Sequence, residues 1–330
     1  AKAISNSTLL ISCSRNPEAI ARLGSVTQLL LELDGDDYSR IHLLHEHAWF
    51  RAHTGNAMFA LPVLREGLDL IRRSGTASSI AARTLLGTGV TLCQGGMYKE
   101  AVPILEEAYE FAKRLDNPGL TAHAASGMAL VQGRLGDAKA QADWGRQAVR
   151  SALSNEWGIC LLSAAYDRGI GLCLEERFSE AEISLDEVDE RFGKGRPEWL
   201  RQAWQLCKAD VLALAGRDRR ALASARRATD YGARALLHPC FAGQYARWAA
   251  RTAIADARIE TAARSLEQML SALDMYDAKD QAEILAAAAT LEDVDGSAGS
   301  SKWGEVSRRL GELPESIEVL LRRCGMVGYG

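Results

Sequence analysis

The densest group of chemically versatile side chains lies between Ile41 and His53, where His42, His45, His47 and His53 supply four of the six histidines in the chain. On a helix, His42, His45 and Glu46 fall at i, i+3 and i+4, so they share one face and could offer two imidazoles and a carboxylate to a divalent ion. One helix supplies at most three such ligands, and His47 points to another face. The stretch reads also as a ligand-facing surface, or as ordinary interhelical and solvated histidine, and no metal site is expected.

Other constellations that perform chemistry are missing. There is no GxxxxGK phosphate loop, no HExxH, no GxSxG and no EF-hand pattern, so no catalytic residue and no cofactor is expected and the chain does not read as an enzyme. Seven cysteines, Cys13, Cys93, Cys160, Cys173, Cys207, Cys240 and Cys324, form no CxxC pair. An odd, scattered set points to a reducing, cytoplasmic setting, with the thiols acting as small buried residues. No run approaches the roughly 18 apolar residues of a membrane helix. Arg217, Arg219, Arg220, Arg226 and Arg227 form a basic cluster, but Asp186, Glu187, Asp189 and Glu190 occupy the corresponding place one repeat earlier, and the net charge is -4. Direct nucleic-acid binding wants an uncompensated basic face and is not expected.

The elements that must carry these residues follow from a period. Small residues recur every 40 or 41 positions, at Ala48, Gly89, Ala129, Gly169, Ala209 and Ala250. Seven places later come Gly55, Gly96, Gly136, Glu176, Gly216 and Ala257, which reads as a turn position ending a helix. Then Ala60, Ala101, Gln141, Ala181, Ala221 and Ala262 lead to Gly67, Ala108, Ala148, Val188, Ala228 and Met269, a second and mostly compact stripe. Each repeat is therefore a helical hairpin. Ser7, Ser14, Ala19 and Val26 extend the frame backwards, and a degenerate seventh hairpin starts near Ala278. Loops are expected at Asp34–Asp37, Asp116–Gly119, Ser154–Glu156, Gly193–Pro197 and His238–Pro239. Apolar content of 47% and aromatic content of only 6% mean that Ala and Leu must do the packing.

Leu85, Gly89, Leu92, Gly96, Ala101, Leu105 and Ala108 resemble the tetratricopeptide repeat, with a period longer than its usual 34 residues. Long-period arrays of this kind are similar to the sensor domains of maltose-activator-type bacterial transcription regulators and to peptide-pheromone receptors. The resemblance implies an all-α, right-handed α-solenoid of about seven hairpins, a single domain over 1–330. Residues 292–302 read as a flexible loop, and 314–324, opened by Pro314, as a C-terminal capping helix. A first residue other than methionine suggests a fragment of a longer multidomain protein.

The resemblance further implies that the first helix of each hairpin lines a concave groove where partners bind. By position, the groove takes His42, His45, Trp49 and His53 from the first hairpin, Arg83 and Gln94 from the second, and His123 and Arg134 from the third. Tyr166, Asp210, Gln244, Arg247 and Arg251 follow from the later ones. Cationic and aromatic residues interleaved in this way suit a protein or peptide partner, or an anionic small-molecule effector, because arginine grips a carboxylate with two parallel bonds. The function implied is a ligand- or protein-binding regulatory module that can self-associate as a homo-oligomer. A constitutive scaffold without a small-molecule ligand is the alternative.

Overall fold

A computed structural model of the chain describes residues 17–32, 36–54, 57–75, 78–153, 158–192, 198–229, 241–271 and 278–294, with isolated positions at 196, 273, 276, 305, 306 and 308. Every regular element among them is helical. In chain order they are α1 (Pro17–Leu31), α2 (Asp37–Thr54), α3 (Leu61–Ser74), α4 (Ser79–Gln94), α5 (Tyr98–Arg114), α6 (Pro118–Arg134) and α7 (Ala138–Leu153). There follow α8 (Gly158–Leu174), α9 (Phe178–Asp189), α10 (Glu198–Leu214), α11 (Asp218–Thr229), α12 (Ala242–Ala255), α13 (Ile259–Leu270) and α14 (Ala278–Val294). Even-numbered helices open hairpins and odd-numbered ones close them. Two compact units are distinguished, Ala1–Met128 and Ala129–Gly330.

Short polar residues cap the free N–H groups at the start of several helices. The Oδ1 atoms of Asp36, Asn117 and Asp137 accept bonds of 2.9, 3.0 and 2.9 Å from the amides of Ser39, Leu120 and Ala140, at the openings of α2, α6 and α7. The even helices end in one recurrent way. At the turn position φ is +78° for Gly96, +83° for Gly136, +60° for Glu176, +73° for Gly216 and +54° for Ala257. At each of these turns the next residue donates back five places, as from Met97 N to Leu92 O at 2.9 Å and from Arg258 N to Ala253 O at 2.8 Å. The left-handed turn is thus kept where the residue is not glycine. Gly55 lies outside the described residues.

Packing within each unit follows the small-residue stripes. Ala48, Ala129, Ala209 and Ala250 are buried, as are Ala101, Ala181 and Ala221 on the closing helices. A β-carbon added to Gly89 would stand 2.5 Å from Leu105 Cγ, across its own hairpin, as the register predicts. At Gly169 the neighbour is instead Val211 of the next opening helix, α10, at 2.7 Å. The closest backbone approach lies at residues outside the periodic set. A β-carbon on Gly145 would stand 2.7 Å from Arg168 N, and one on Gly171 2.7 Å from Ala138 O and Ala142 N, so α7 and α8 pack main chain against main chain.

Some expectations need correction. Pro118 and Gly119, read as loop, begin α6, because proline fits a first helical turn. Residues 292–294 continue α14 and are not loop. On α1, Val26 is 45% exposed while Thr27 is fully buried, so the register slips by one there. The remaining residues of the 292–302 segment, the 314–324 helix and the loops at 154–156 and 238–239 lie outside the described residues.

Candidate functional site

In unit 1 the sequence-predicted residues come from α2, α4 and α6. His42 Nε2 lies 3.6 Å from Glu46 Oε1, one turn on. His45 turns away from this pair toward α4, where its Nδ1 is 3.5 Å from Thr84 Oγ1 and its Cε1 is 3.8 Å from the position a β-carbon on Gly87 would take. The three residues named for a metal therefore diverge, and no group of three ligating side chains among the described residues is arranged to hold an ion. His47 points elsewhere, as expected: its Nδ1 is 3.0 Å from Thr27 Oγ1 of α1.

Arg83 sits one helical turn before Gly87 and is half-buried. Among the described residues its guanidinium has neither a hydrogen bond nor an ion pair. Its charge is felt on both sides. The His45 imidazole is pushed down to about 3 by burial and then by Arg83, with His42 and His123 acting in the same sense and Glu46 against. His123 is pushed down to about 4 by burial and then by Arg83. Both rings are neutral at pH 7, which leaves Arg83 as the fixed cation of the group. Gln94 is half-buried at the end of α4. Trp49 and His53 belong to α2, with side chains outside the described residues.

In unit 2 the corresponding residues are drawn into one buried network. Asp210, fully buried on α10, accepts from Arg247 Nη1 and Nη2 at 2.9 Å each, from Gln244 Nε2 at 2.9 Å, from Trp248 Nε1 at 2.8 Å and from Tyr166 OH at 3.1 Å. Arg247, also fully buried, continues to Glu283 of α14 at 3.4 Å, and Glu283 lies 3.2 Å from Lys279 Nζ. Burial works to lower the Lys279 ammonium, but the Glu283 and Asp280 carboxylates outweigh it and hold the group above its ordinary value. Burial, helped by the charge of Asp210, holds the Tyr166 phenol well above its usual range. Asp210, Gln244 and Arg247, predicted to face a groove, thus face one another.

The edges of this network are less satisfied. Asp167, next to Tyr166, is pushed up to about 7 by burial, against the opposing pull of Arg134 and of a 3.4 Å bond from Gln141 Nε2. Arg251 stacks over Trp248 at 5.2 Å and pairs with exposed Asp218 at 3.0 Å. Three of the five arginines in the basic cluster are paired too. Arg217 Nε reaches Glu182 Oε1 at 2.8 Å, Arg220 shares that carboxylate, and Arg226 pairs with Asp256 at 2.7 Å. The acidic neighbour is Glu182, not the predicted Asp186 or Glu190, while Asp189 holds Lys208 and Trp204.

Sequence reasoning missed Trp248, Lys279, Glu283 and Asp167. A usable signal existed: Lys279 and Glu283 form an i, i+4 pair in a helix otherwise rich in alanine, and Asp210 interrupts an apolar run. Ionic residues buried in such settings require partners.

No family model matches the chain, and no curated protein matches it in sequence. Solved structures share its fold. A Rap protein complexed with Competence and Sporulation Factor is similar over 96% of this chain and 74% of its own, with 13% identity and a TM-score of 0.56. The Rap conjugation gene regulator of plasmid pLS20, in complex with the Phr* peptide, is similar over 99% and 96%, with 12% identity and a TM-score of 0.55. A tetratricopeptide repeat protein from Parabacteroides merdae ATCC 43184 has 13% identity and a TM-score of 0.48 over 86% and 98%. The chain has the tetratricopeptide-like, all-helical solenoid fold.

Proposed function

We propose that the chain is a regulatory module, one domain over 1–330, that binds a peptide or protein through the polar face of its hairpin-opening helices. The observation that supports it is the contrast along those helices. Packing positions carry alanine, glycine and leucine, while a second set of positions carries His42, His45, Arg83 and His123 in unit 1; in unit 2 Tyr166, Asp210, Gln244 and Arg247 at such positions bond one another. A helix that only packs has no need of imidazoles and guanidiniums, whose burial is costly. Two proteins of this fold are solved as complexes, one with the Phr* peptide and the other with Competence and Sporulation Factor, and that agrees with the reading.

In the finer reading the module is the sensor of a cytoplasmic bacterial signalling or transcription regulator. Occupancy of the polar face changes helix packing or self-association, and an output elsewhere in a longer protein responds. Cys93, Cys160, Cys173 and Cys207 are buried free thiols, in keeping with a reducing compartment.

The test is a titration of the chain with short peptides of graded charge, followed by fluorescence anisotropy. Acidic peptides are expected to bind with an affinity that falls as salt rises, because exposed charge pairs are screened. Arg83→Ala weakens binding, whereas Arg226→Ala and Arg251→Ala, whose side chains are engaged by Asp256 and Asp218, leave it unchanged. Equal loss in all three variants, or loss in Arg226→Ala alone, would favour the constitutive scaffold.

A further inference from the structure

In unit 2, Asp167 and Gln141 stand apart from the Asp210 network and do not depend on the binding reading. Where the other hairpins carry Ala60, Ala101, Ala181, Ala221 and Ala262, the third carries Gln141. That side chain is buried, and its amide fills the space over Gly133 of α6, where a β-carbon would stand 2.6 Å from Gln141 Cδ and Nε2. Gln141 Nε2 donates to Asp167 Oδ1 of α8 at 3.4 Å, while Gln141 Oε1 is buried with no hydrogen bond among the described residues. Asp167 is buried too, and among the described residues it has this one long bond and no ion pair. The seam around the two side chains is tight. Ala142 and Arg168, their chain neighbours, are the residues whose main chain lies 2.7 Å from a β-carbon placed on Gly171 and on Gly145. Asp167 and Gln141 therefore cannot draw apart unless α7 and α8 separate.

We propose that Asp167 and Gln141 form a proton-operated clasp between the third and fourth hairpins, closed by two hydrogen bonds when the carboxyl is protonated and loosened when it ionises. A carboxylic acid and a primary amide are complementary: the acid O–H donates to Oε1, which gives that oxygen its missing partner, while Nε2 donates to the other carboxyl oxygen. A carboxylate only accepts. It would leave Oε1 without a donor and hold a buried charge on one long bond, the proton having passed to water. Burial pushes the Asp167 carboxyl up to about 7, against the charge of Arg134 on α6, the bond from Gln141 and the charge of Lys279 on α14. The Cys207 thiol of α10 also feels Asp167, and burial holds that thiol well above its usual range and so uncharged. The other charged groups nearby are engaged elsewhere. On α8, Tyr166 bonds Asp210 at 3.1 Å and Arg168 pairs with Glu187 at 2.5 Å. Arg247 of α12 is held by Asp210, and on α14 Lys279 is held by Glu283 at 3.2 Å and Asp280 at 3.7 Å.

Two measurements on the whole chain test the clasp. In the first, the carboxyl carbon of Asp167 and the side-chain amide protons of Gln141 are followed by NMR as pH is raised. Both should shift with one midpoint near neutrality. A carboxyl that titrates in the ordinary carboxylate range, or a Gln141 amide that does not follow it, overturns the proposal. In the second, hydrogen exchange is read by mass spectrometry at pH 6 and pH 8, with the intrinsic rates allowed for. Opening of the seam lets Asp167 release its proton, so such opening should be about tenfold more frequent at pH 8 than at pH 6. Asp167→Asn, whose amide can repeat both bonds to Gln141 without titrating, should lack this tenfold change in α7 and α8, while the helices of unit 1 exchange alike in both proteins. Equal pH dependence of α7 and α8 in the two proteins overturns the clasp. Failure of Asp167→Asn to fold overturns it as well, because the neutral amide should stand in for the protonated acid.

Discussion

The same set of helix positions is used in opposite ways in the two units. In unit 2, Asp210 collects hydrogen bonds from Tyr166, Gln244, Arg247 and Trp248, and the network is fully buried at its centre. In unit 1, Arg83 stands half-buried among imidazoles with no partner among the described residues. What separates them is whether the fold brings a carboxylate to the cation. Where it does, the polar face becomes a structural lock; where it does not, the cation stays outside such a lock.

The largest expected effect breaks that lock. Asp210→Ala would strand the guanidinium of Arg247 and the donors of Trp248 and Gln244 in a site without water access. Removing one partner of a buried pair costs roughly 3 to 5 kcal/mol. Arg83→Ala, with no internal partner to strand, should cost less than about 1 kcal/mol. Urea unfolding of both variants measures the pair, and comparable losses would erase the distinction between the units.

Acid should act on the two units with opposite sign. His45 and His123 have folded values of about 3 and about 4 against 6.5 for a free imidazole, so the unfolded chain takes up protons first and stability falls as pH drops below 6.5. Asp167 has a folded value of about 7 against 3.8, so here the folded chain holds the proton, and stability rises as pH drops from 7 toward 3.8. Unfolding midpoints at pH 7.5 and pH 5 resolve the contributions. Asp167→Asn should gain relative to the wild type mainly at the higher pH, and His123→Gln mainly at the lower, each by on the order of 1 to 3 kcal/mol. The reverse pattern would mean that burial does not govern these groups.

The third comparison concerns glycines on opening helices. At Gly171 of unit 2 a methyl would meet the main chain of Ala138 and Ala142 at 2.7 Å, and main chain cannot swing aside. Gly171→Ala should cost roughly 1 to 3 kcal/mol. At Gly87 of unit 1 the nearest atoms stand at 3.6 and 3.8 Å, an ordinary contact. Gly87→Ala should therefore gain about 0.5 to 1 kcal/mol from helix entropy while narrowing the approach to His45. Thermal unfolding of the two variants checks the contrast.

These contrasts also mark what the sequence could disclose. The hairpin period was legible because close helix packing demands a small residue at Ala48, Gly89 or Ala209, whatever the neighbours are. The site was less so. Asp210 and Arg83 occupy equivalent stretches of their repeats, and only the arrival of α12 and α14 beside Asp210 decides that it is sealed. Gly145 and Gly171 escaped notice because their contact joins one hairpin to the next, a register the repeat spacing does not encode. Glu182 was missed as the partner of Arg217 for the same reason.

The smallest effect tests the turns that end the opening helices. Unit 1 has glycine there, at Gly96 with φ of +78°, whereas unit 2 holds Glu176 at +60° and Ala257 at +54° in the same left-handed turn. A β-carbon in that region costs roughly 1 to 2 kcal/mol, offset in part by the lower chain entropy of a non-glycine residue. Gly96→Ala should therefore lose about 1 kcal/mol. Glu176→Gly and Ala257→Gly should each gain up to about 1 kcal/mol, with Ala257→Gly the cleaner test because Ala257 carries no charge to lose. Denaturant midpoints of the three single variants give the answer. A loss in Ala257→Gly would mean that chain entropy outweighs the strain, and that the turn is held by its hydrogen bonds, such as Arg258 N to Ala253 O at 2.8 Å, whichever residue occupies it.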